Sequence, residues 1–334
     1  YDERDVERVE RSWKHVSYRD RTEILPHVFV TWMQAGHILG SSFLFVEADG
    51  ARVVMSGDVG HDTMPLLPGT EALPSNLDLI VCESTYGNRL HIQDNNRLDE
   101  LRVFIERVAT RGGTLMIPAF SVERTQELLF DLNTLAEREH VNLGSVFLDS
   151  PLGIGATDVY AAYRDNPAFV RPQTFHDDDY FQFPELVVTR SVPDSKHIND
   201  AKAPKIIVAG AGMMDSGRIK HHLLRYLSDA RNGLLIVGYQ AEGTLGRQIQ
   251  KGVSPVTIFD YAVDVRAEIV TTDRYSAHAD YDKLTHWIKS AGVAHVVLVH
   301  GDTEAQDAFA AHLTRQGIAH VDIPTFGEWL TVSL

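Results

Sequence analysis

From residue 91 onward, short apolar runs alternate with stretches of helical periodicity, and that alternation leaves few folds open. Leu98, Leu101, Phe104, Ile105 and Val108 recur on one helix face, and TLMIPAF (114–120) follows as a strand. Residues 123–140 place Leu128, Leu129, Leu132 and Leu135 along one side of a second helix. SVFLDS (145–150), KIIVAGAG (205–212) and GLLIVGYQ (233–240) are further apolar strands, separated by helical stretches near 152–164 and 217–229. Strands apolar on both faces, with helices between them, predict an α/β unit with a mainly parallel sheet.

The flanks are built differently. Residues 4–14 read as the tail of an amphipathic helix, and 27–34, 41–48 and 51–58 read as three strands. Ala48-Asp49-Gly50 fits a tight hairpin turn. LDLIVCES (77–84) has the apolar character of a strand buried on both faces. At the other end, VRAEIVTTD and HVVLVHGD read as strands, each followed by a helix, ADYDKLTHWIKSAG and TEAQDAFAAHLTRQG. Residues 166–200, with Pro167, Pro172, Pro184, Pro193 and an acidic HDDD, predict a long surface loop or cap.

Composition narrows the chemistry. A formal net charge of −15 argues against a broadly basic nucleic-acid-coating surface, while leaving room for a local basic groove beside bound cations. The single cysteine, Cys82, rules out a disulfide framework and a cysteine-based zinc site, and favours a cytoplasmic setting. A transition metal here must be held by His, Asp or Glu. No apolar run approaches the ~20 residues that span a bilayer, and the charged start YDERDVERVERSWKH is no secretory leader.

Five stretches carry a metal-binding or titratable residue at the C-terminal edge of an apolar strand, where a Gly- or Ser-containing loop begins. They are His37 in AGHILGSS, Asp58 in MSGDVG, Glu83 in CESTYGNRLH, His278 in YSAHAD and His300 in LVHGD. Ligands bind at such strand ends in α/β sheets. Each has an ordinary alternative: SGD as a turn, ESTYG as turn chemistry, and Ser276 or Asp280 as the cap of the following helix. His140, His176 and His312 read as ordinary surface or core histidines. It is the order and spacing of the five together that carries the signal.

With these stretches in view, the chain resembles the metallo-β-lactamase-fold nucleic-acid hydrolases of the β-CASP group. That group includes the endonuclease subunit of the pre-mRNA 3′-end cleavage machinery and ribonuclease J. AGHILGSS and SGDVG resemble the group's third and fourth metal motifs; ESTYGNRLH, SAHAD and LVHGD resemble its motifs A, B and C. PAFSVERTQELL (118–129), DSPLG (149–153), GAGMMDSGRIKHHL (210–223) and GYQAEGTLGR (238–247) extend the likeness through the middle unit. The resemblance implies an αββα sandwich, residues 1–88 and 265–334, with an inserted α/β β-CASP domain at 89–264. The group's His-x-His-x-Asp-His loop is missing from residues 1–36. The sandwich is therefore expected to be N-terminally incomplete, with an apolar sheet face left open, and the chain to be a fragment inactive alone.

For the complete enzyme the resemblance implies two Zn2+ per site and an activated hydroxide that attacks an RNA phosphodiester, in endo- or 5′ exonucleolytic mode. Asp58 would bridge both metals, His37 would complete one site and His300 the other, and the missing loop would add four ligands. His61 and His91 are the candidates to replace it. Glu83 would orient His278 and raise its pKa, and His278 would protonate the leaving oxygen. Ser276 would donate to the scissile phosphate. Arg124, Arg218, Lys220 and Arg247 are candidate contacts to an RNA backbone, or else solvated surface charges. The N-terminus of the helix after GAGMMDSG suits a phosphate. The implied partners are single-stranded RNA and a second copy of the chain in a homodimer, with no membrane. The rival reading is a catalytically silent RNA-binding or scaffold subunit, against which all five chemical residues are retained.

Overall fold

The computed structural model describes residues 2–62, 64–91, 96–171 and 181–332. A short helix α1 (Glu3–Glu10), capped by Asp2, precedes a seven-stranded sheet. Four antiparallel strands come first: β1 (Arg21–Leu25), β2 (Val28–Gln34), β3 (Ser42–Ala48) and β4 (Ala51–Met55). The expected hairpin joins β3 to β4 through Asp49 and Gly50, both with positive φ, which matches the right-handed twist of the strands. Next to β4 lie β5 (Leu79–Glu83), β14 (His295–Val299) and β15 (His320–Asp322), all parallel. Two chain segments more than 200 residues apart therefore share one sheet.

One face of that sheet is closed. Phe43, Val54, Ile80 and Val296 are buried against α8 (Tyr281–Ser290) and α9 (Thr303–Arg315), with the Phe43 ring edge-on to Trp287 at 5.2 Å. On the opposite face Trp32, Leu44, Met55 and Val81 stand in register across four strands, and Met55 is 46% exposed. The α/β class holds; of the sandwich, the described residues form this one sheet.

The second sheet is wholly parallel, in the order β13-β10-β6-β9-β7-β8. Its strands are β6 (Thr114–Pro118), β7 (Ser145–Asp149), β8 (Leu186–Val188), β9 (Lys205–Ala209), β10 (Gly233–Ile236) and β13 (Glu268–Thr271). Every residue of β6, β9 and β10 is buried, as expected of strands covered on both faces. On one side pack α2 (Arg97–Thr110), α3 (Arg124–Asn133) and α4 (Pro151–Tyr163); on the other, α6 (Ile219–Tyr226) and α7 (Leu245–Gln250). Because β13 belongs to this sheet, the chain re-enters the first layer only after Thr271.

Two expectations need correcting. The helix expected over 123–140 is α-helical only to Asn133 and continues as a π-helical turn, Thr134–Arg138. The segment 166–200 is not all loop: β8 adds an edge strand, and α5 (Val192–His197) follows with Ser191 and Asp194 forming a capping box. Its Pro172 and HDDD stretch, with His176, lie outside the described residues. The hairpin of β11 (Val256–Ile258) and β12 (Tyr261–Val263) had no clear sequence signal.

Candidate metal centre and pocket

Four strands of the first sheet end at one edge, and backbone bonds lace the loops leaving them. Gly60 N–H donates to the Ala35 carbonyl at 2.8 Å, His61 N–H to Ala277 at 2.8 Å, and Ala279 N–H to Val59 at 2.8 Å. These bonds hold the His37, Asp58 and His278 loops side by side. The approach is so close that a Cβ on Gly60 would lie 1.8 Å from the Gly36 carbonyl oxygen. The His300 loop is fastened separately: Ser84 N–H donates to the His300 carbonyl at 3.0 Å, and Ser84 Oγ to Val299 at 2.8 Å.

Asp58 faces two imidazoles. His37 Nε2 is 3.7 Å from one of its oxygens and His300 Nε2 is 3.6 Å from the other, both too long for a hydrogen bond. Among the described residues, His37, Asp58 and His278 each bring a donor atom within 4.8 Å of the other two. His37 Nδ1 is buried without a hydrogen-bond partner. Burial, reinforced by His278 and Arg124 and opposed by Asp58, lowers the His37 pKa to about 3, so its ring is neutral. A neutral imidazole and a carboxylate that converge without bonding each other are the donors a borderline cation such as zinc takes, and these residues fit it. His300 reaches Asp58 but stands outside the three-residue group, whereas His278 stands within it.

His278 is also held from behind. Its Nδ1 lies 3.0 Å from Glu83 Oε2, and Glu83, 1% exposed, also accepts the Val59 N–H at 2.5 Å. With Nδ1 engaged, Nε2 is the nitrogen left for chemistry. Sequence reasoning missed one support. His91 Nε2 donates to the His278 carbonyl at 2.8 Å, and its own N–H donates to Asp280 at 3.0 Å. The His61 ring packs on His91 at 4.4 Å, and burial, with His91 beside it, lowers the His61 pKa to about 4. Neither His61 nor His91 enters the donor group, so the structure does not bring them in as substitute ligands.

Next to the donor group is a cavity of about 710 Å³, whose lining includes His37, His278 and His300 together with Phe120, Val122 and Leu152. Ser276 and Arg124 also line it. Arg124 is not a solvated charge: it is 8% exposed, its Nη1 has no hydrogen-bond partner, and it lies among the buried Glu123 and Glu127. The other three basic candidates are engaged elsewhere. Arg218 donates to Asp149 at 2.7 Å and to the Thr189 carbonyl at 2.9 Å. Lys220 Nζ sits 4.8 Å over the Phe259 ring, and Arg247 pairs with Glu242 at 3.0 Å. Tyr239, which the sequence did not single out, also lines the cavity and donates to Asp302 at 2.8 Å.

Residues 125–249 match the Beta-Casp domain family, and residues 262–324 match the Zn-dependent metallo-hydrolase RNA specificity domain. A ribonuclease of Thermus thermophilus is 36% identical over 300 residues, covering 90% of this chain and 68% of its own. The chain belongs to the β-CASP metallo-β-lactamase ribonucleases. This is a family of metal-dependent hydrolases, and its second matched domain carries zinc in its name. An RNase J-like protein of Methanocaldococcus jannaschii is 29% identical over 332 residues, 98% of this chain and 75% of that one. Cleavage and polyadenylation specificity factor subunit 3 of Dictyostelium discoideum is 30% identical over 309 residues, 90% of this chain and 38% of that one. Among the described residues no helix is long and apolar enough to cross a membrane.

Proposed function

We propose that the chain carries the substrate pocket and part of the zinc site of a phosphodiester hydrolase that acts on single-stranded RNA. The observation that supports this most is the convergence of His37, Asp58 and His278 beside the cavity. The metallo-β-lactamase layer is assigned to residues 1–88 and to the chain after Thr271, and the β-CASP insertion to the residues between, since β13 carries the expected boundary at 264/265 forward. In this reading Asp58, His37 and His300 would hold the zinc. The family pattern takes its remaining ligands from a His-x-His-x-Asp-His loop that these 334 residues do not contain. When bound, the metals supply Lewis-acid polarisation of the phosphate and a nucleophile at neutral pH.

The protein groups do the rest. Glu83 fixes the His278 ring through Nδ1, which leaves Nε2 to deliver a proton to the leaving oxygen. Ser276, on the pocket wall, donates to the phosphate. Arg124, nearly buried in the cavity lining, offsets its negative charge.

The test is cleavage of an unstructured RNA oligonucleotide, on addition of zinc, by the protein in which these residues are joined to a His-x-His-x-Asp-His loop, with zinc per chain measured alongside by elemental analysis. Cleavage that needs zinc and disappears in Asp58→Ala supports the hydrolase. RNA binding without cleavage at any zinc concentration leaves the rival reading, a catalytically silent RNA-binding subunit.

A further inference from the structure

Phe120 is an aromatic ring with no packing reason to be exposed where it is. It follows β6, whose five residues are all buried, yet it is 36% exposed and lines the same cavity as His37, His278 and His300. The ring is not loose. Its backbone carbonyl accepts from Thr125 Oγ1 at 2.8 Å and from Thr125 N–H at 3.3 Å. Its side chain lies against two residues that have none: a Cβ on Gly212 would come within 2.7 Å of the ring, and a Cβ on Gly238 within 3.1 Å. A fixed ring backed by glycines, its free part turned to a cavity, is a stacking platform. Val122 and Leu152 line the same cavity and keep its wall apolar beside the ring.

We propose that Phe120 stacks one unpaired nucleobase of the substrate, so that the pocket admits a nucleotide only from a single strand. The proposal rests on the RNA reading above and assigns the residue that enforces it. A base in a duplex has both faces covered by its neighbours and cannot reach a ring set inside a cavity. Stacking tolerates any base, because every base has a π-face. Selection at Phe120 is therefore for strandedness and not for sequence.

The experiment measures binding of a five-residue oligoadenylate to zinc-free protein by titration calorimetry, so it does not depend on cleavage. Phe120→Leu keeps an apolar side chain of similar bulk but removes the π-face; Phe120→Trp keeps the π-face. The dissociation constant should rise roughly 10-fold in Phe120→Leu and stay near wild type in Phe120→Trp. Gly212→Ala, which pushes on the ring from behind, should weaken binding in the same direction. Equal affinity in wild type and Phe120→Leu, an equal loss in Leu and Trp variants, or no binding to wild type would each overturn the platform. If the base-dependent binding holds but no cleavage is found, the platform stands and the hydrolase reading fails. If cleavage is found with Phe120→Leu unchanged in KM, the hydrolase stands and the platform fails.

Discussion

Glu83 Oε2 lies 3.0 Å from His278 Nδ1 while Glu83 Oε1 takes the Val59 N–H at 2.5 Å. One buried carboxylate thus positions an imidazole and the loop that carries Asp58. On the proposed mechanism, His278→Ala should lower RNA cleavage by roughly 10²–10⁴-fold with bound zinc near the wild-type amount. Asp58→Ala should lose both. Single-turnover cleavage and elemental analysis of the same samples decide the matter. Normal cleavage by His278→Ala ends its acid–base role. Loss of zinc in that variant would instead make His278 a ligand beside His37 and Asp58.

The contact of Gly60 with Gly36 leaves no room for a side chain. Gly60→Ala must drive apart the loops bearing His37 and Asp58. It is expected to cost about 1–3 kcal/mol of stability, as overpacking does, and to weaken zinc binding. Urea denaturation and zinc titration measure the two effects. An alanine variant with wild-type zinc affinity would show that loop spacing does not set the site.

Arg218 should matter for folding and not for RNA. Asp149, which takes its guanidinium, also accepts from His222, Thr189 and Ser195, and those donors hold its pKa well below the usual carboxylate range against the opposing effect of burial. Removing one partner of a buried pair typically costs about 3–5 kcal/mol. Arg218→Met should show a loss of that order in chemical denaturation, with little change in the RNA affinity of the folded fraction. A selective loss of RNA affinity would return Arg218 to the substrate contacts.

Glu127 gives a pH prediction. Burial, with Asp131 adding to it and Arg97 and Arg124 opposing, raises its pKa from the ordinary 4.5 to about 7. Between those values the folded state holds a proton that the unfolded state has released. The stability this group contributes is full below about 4.5 and is lost as pH rises through about 7. Gln cannot titrate. The unfolding free energy of Glu127→Gln minus that of wild type should therefore climb with pH across that window and be level on either side. A difference that is flat throughout would mean Glu127 is charged in the fold.

Much of the site was legible in the sequence because strand ends are legible. His37, Asp58, Glu83 and His300 follow β2, β4, β5 and β14, whose C-terminal ends share one edge of the first sheet. His278 joins them from the loop after β13, a strand of the second sheet, through backbone bonds to the Asp58 loop. His91 was readable as part of ESTYGNRLH but not in its role, since it bonds a carbonyl 187 residues away. The basic residues misled for a related reason. Arg218 sits in a stretch resembling substrate-binding ones, and nothing local reveals that Asp149, 69 residues away, already holds it. Arg247 pairs with Glu242 five residues earlier in its own stretch.

By itself, the sequence determined the α/β class, the parallel middle sheet, the exclusion of cysteine chemistry and the chemical residues at strand ends. Hydrophobic period and composition are local quantities and survive without the fold. Only the tertiary structure decided which groups meet. Glu123 and Glu127 look like the polar side of an amphipathic helix, yet α3 is covered on nearly every side and both are fully buried. Phe120 looks like the last residue of a core strand, yet two glycines more than 90 residues further along set its ring beside the cavity. Burial and proximity depend on elements distant in the chain, and no local pattern encodes them.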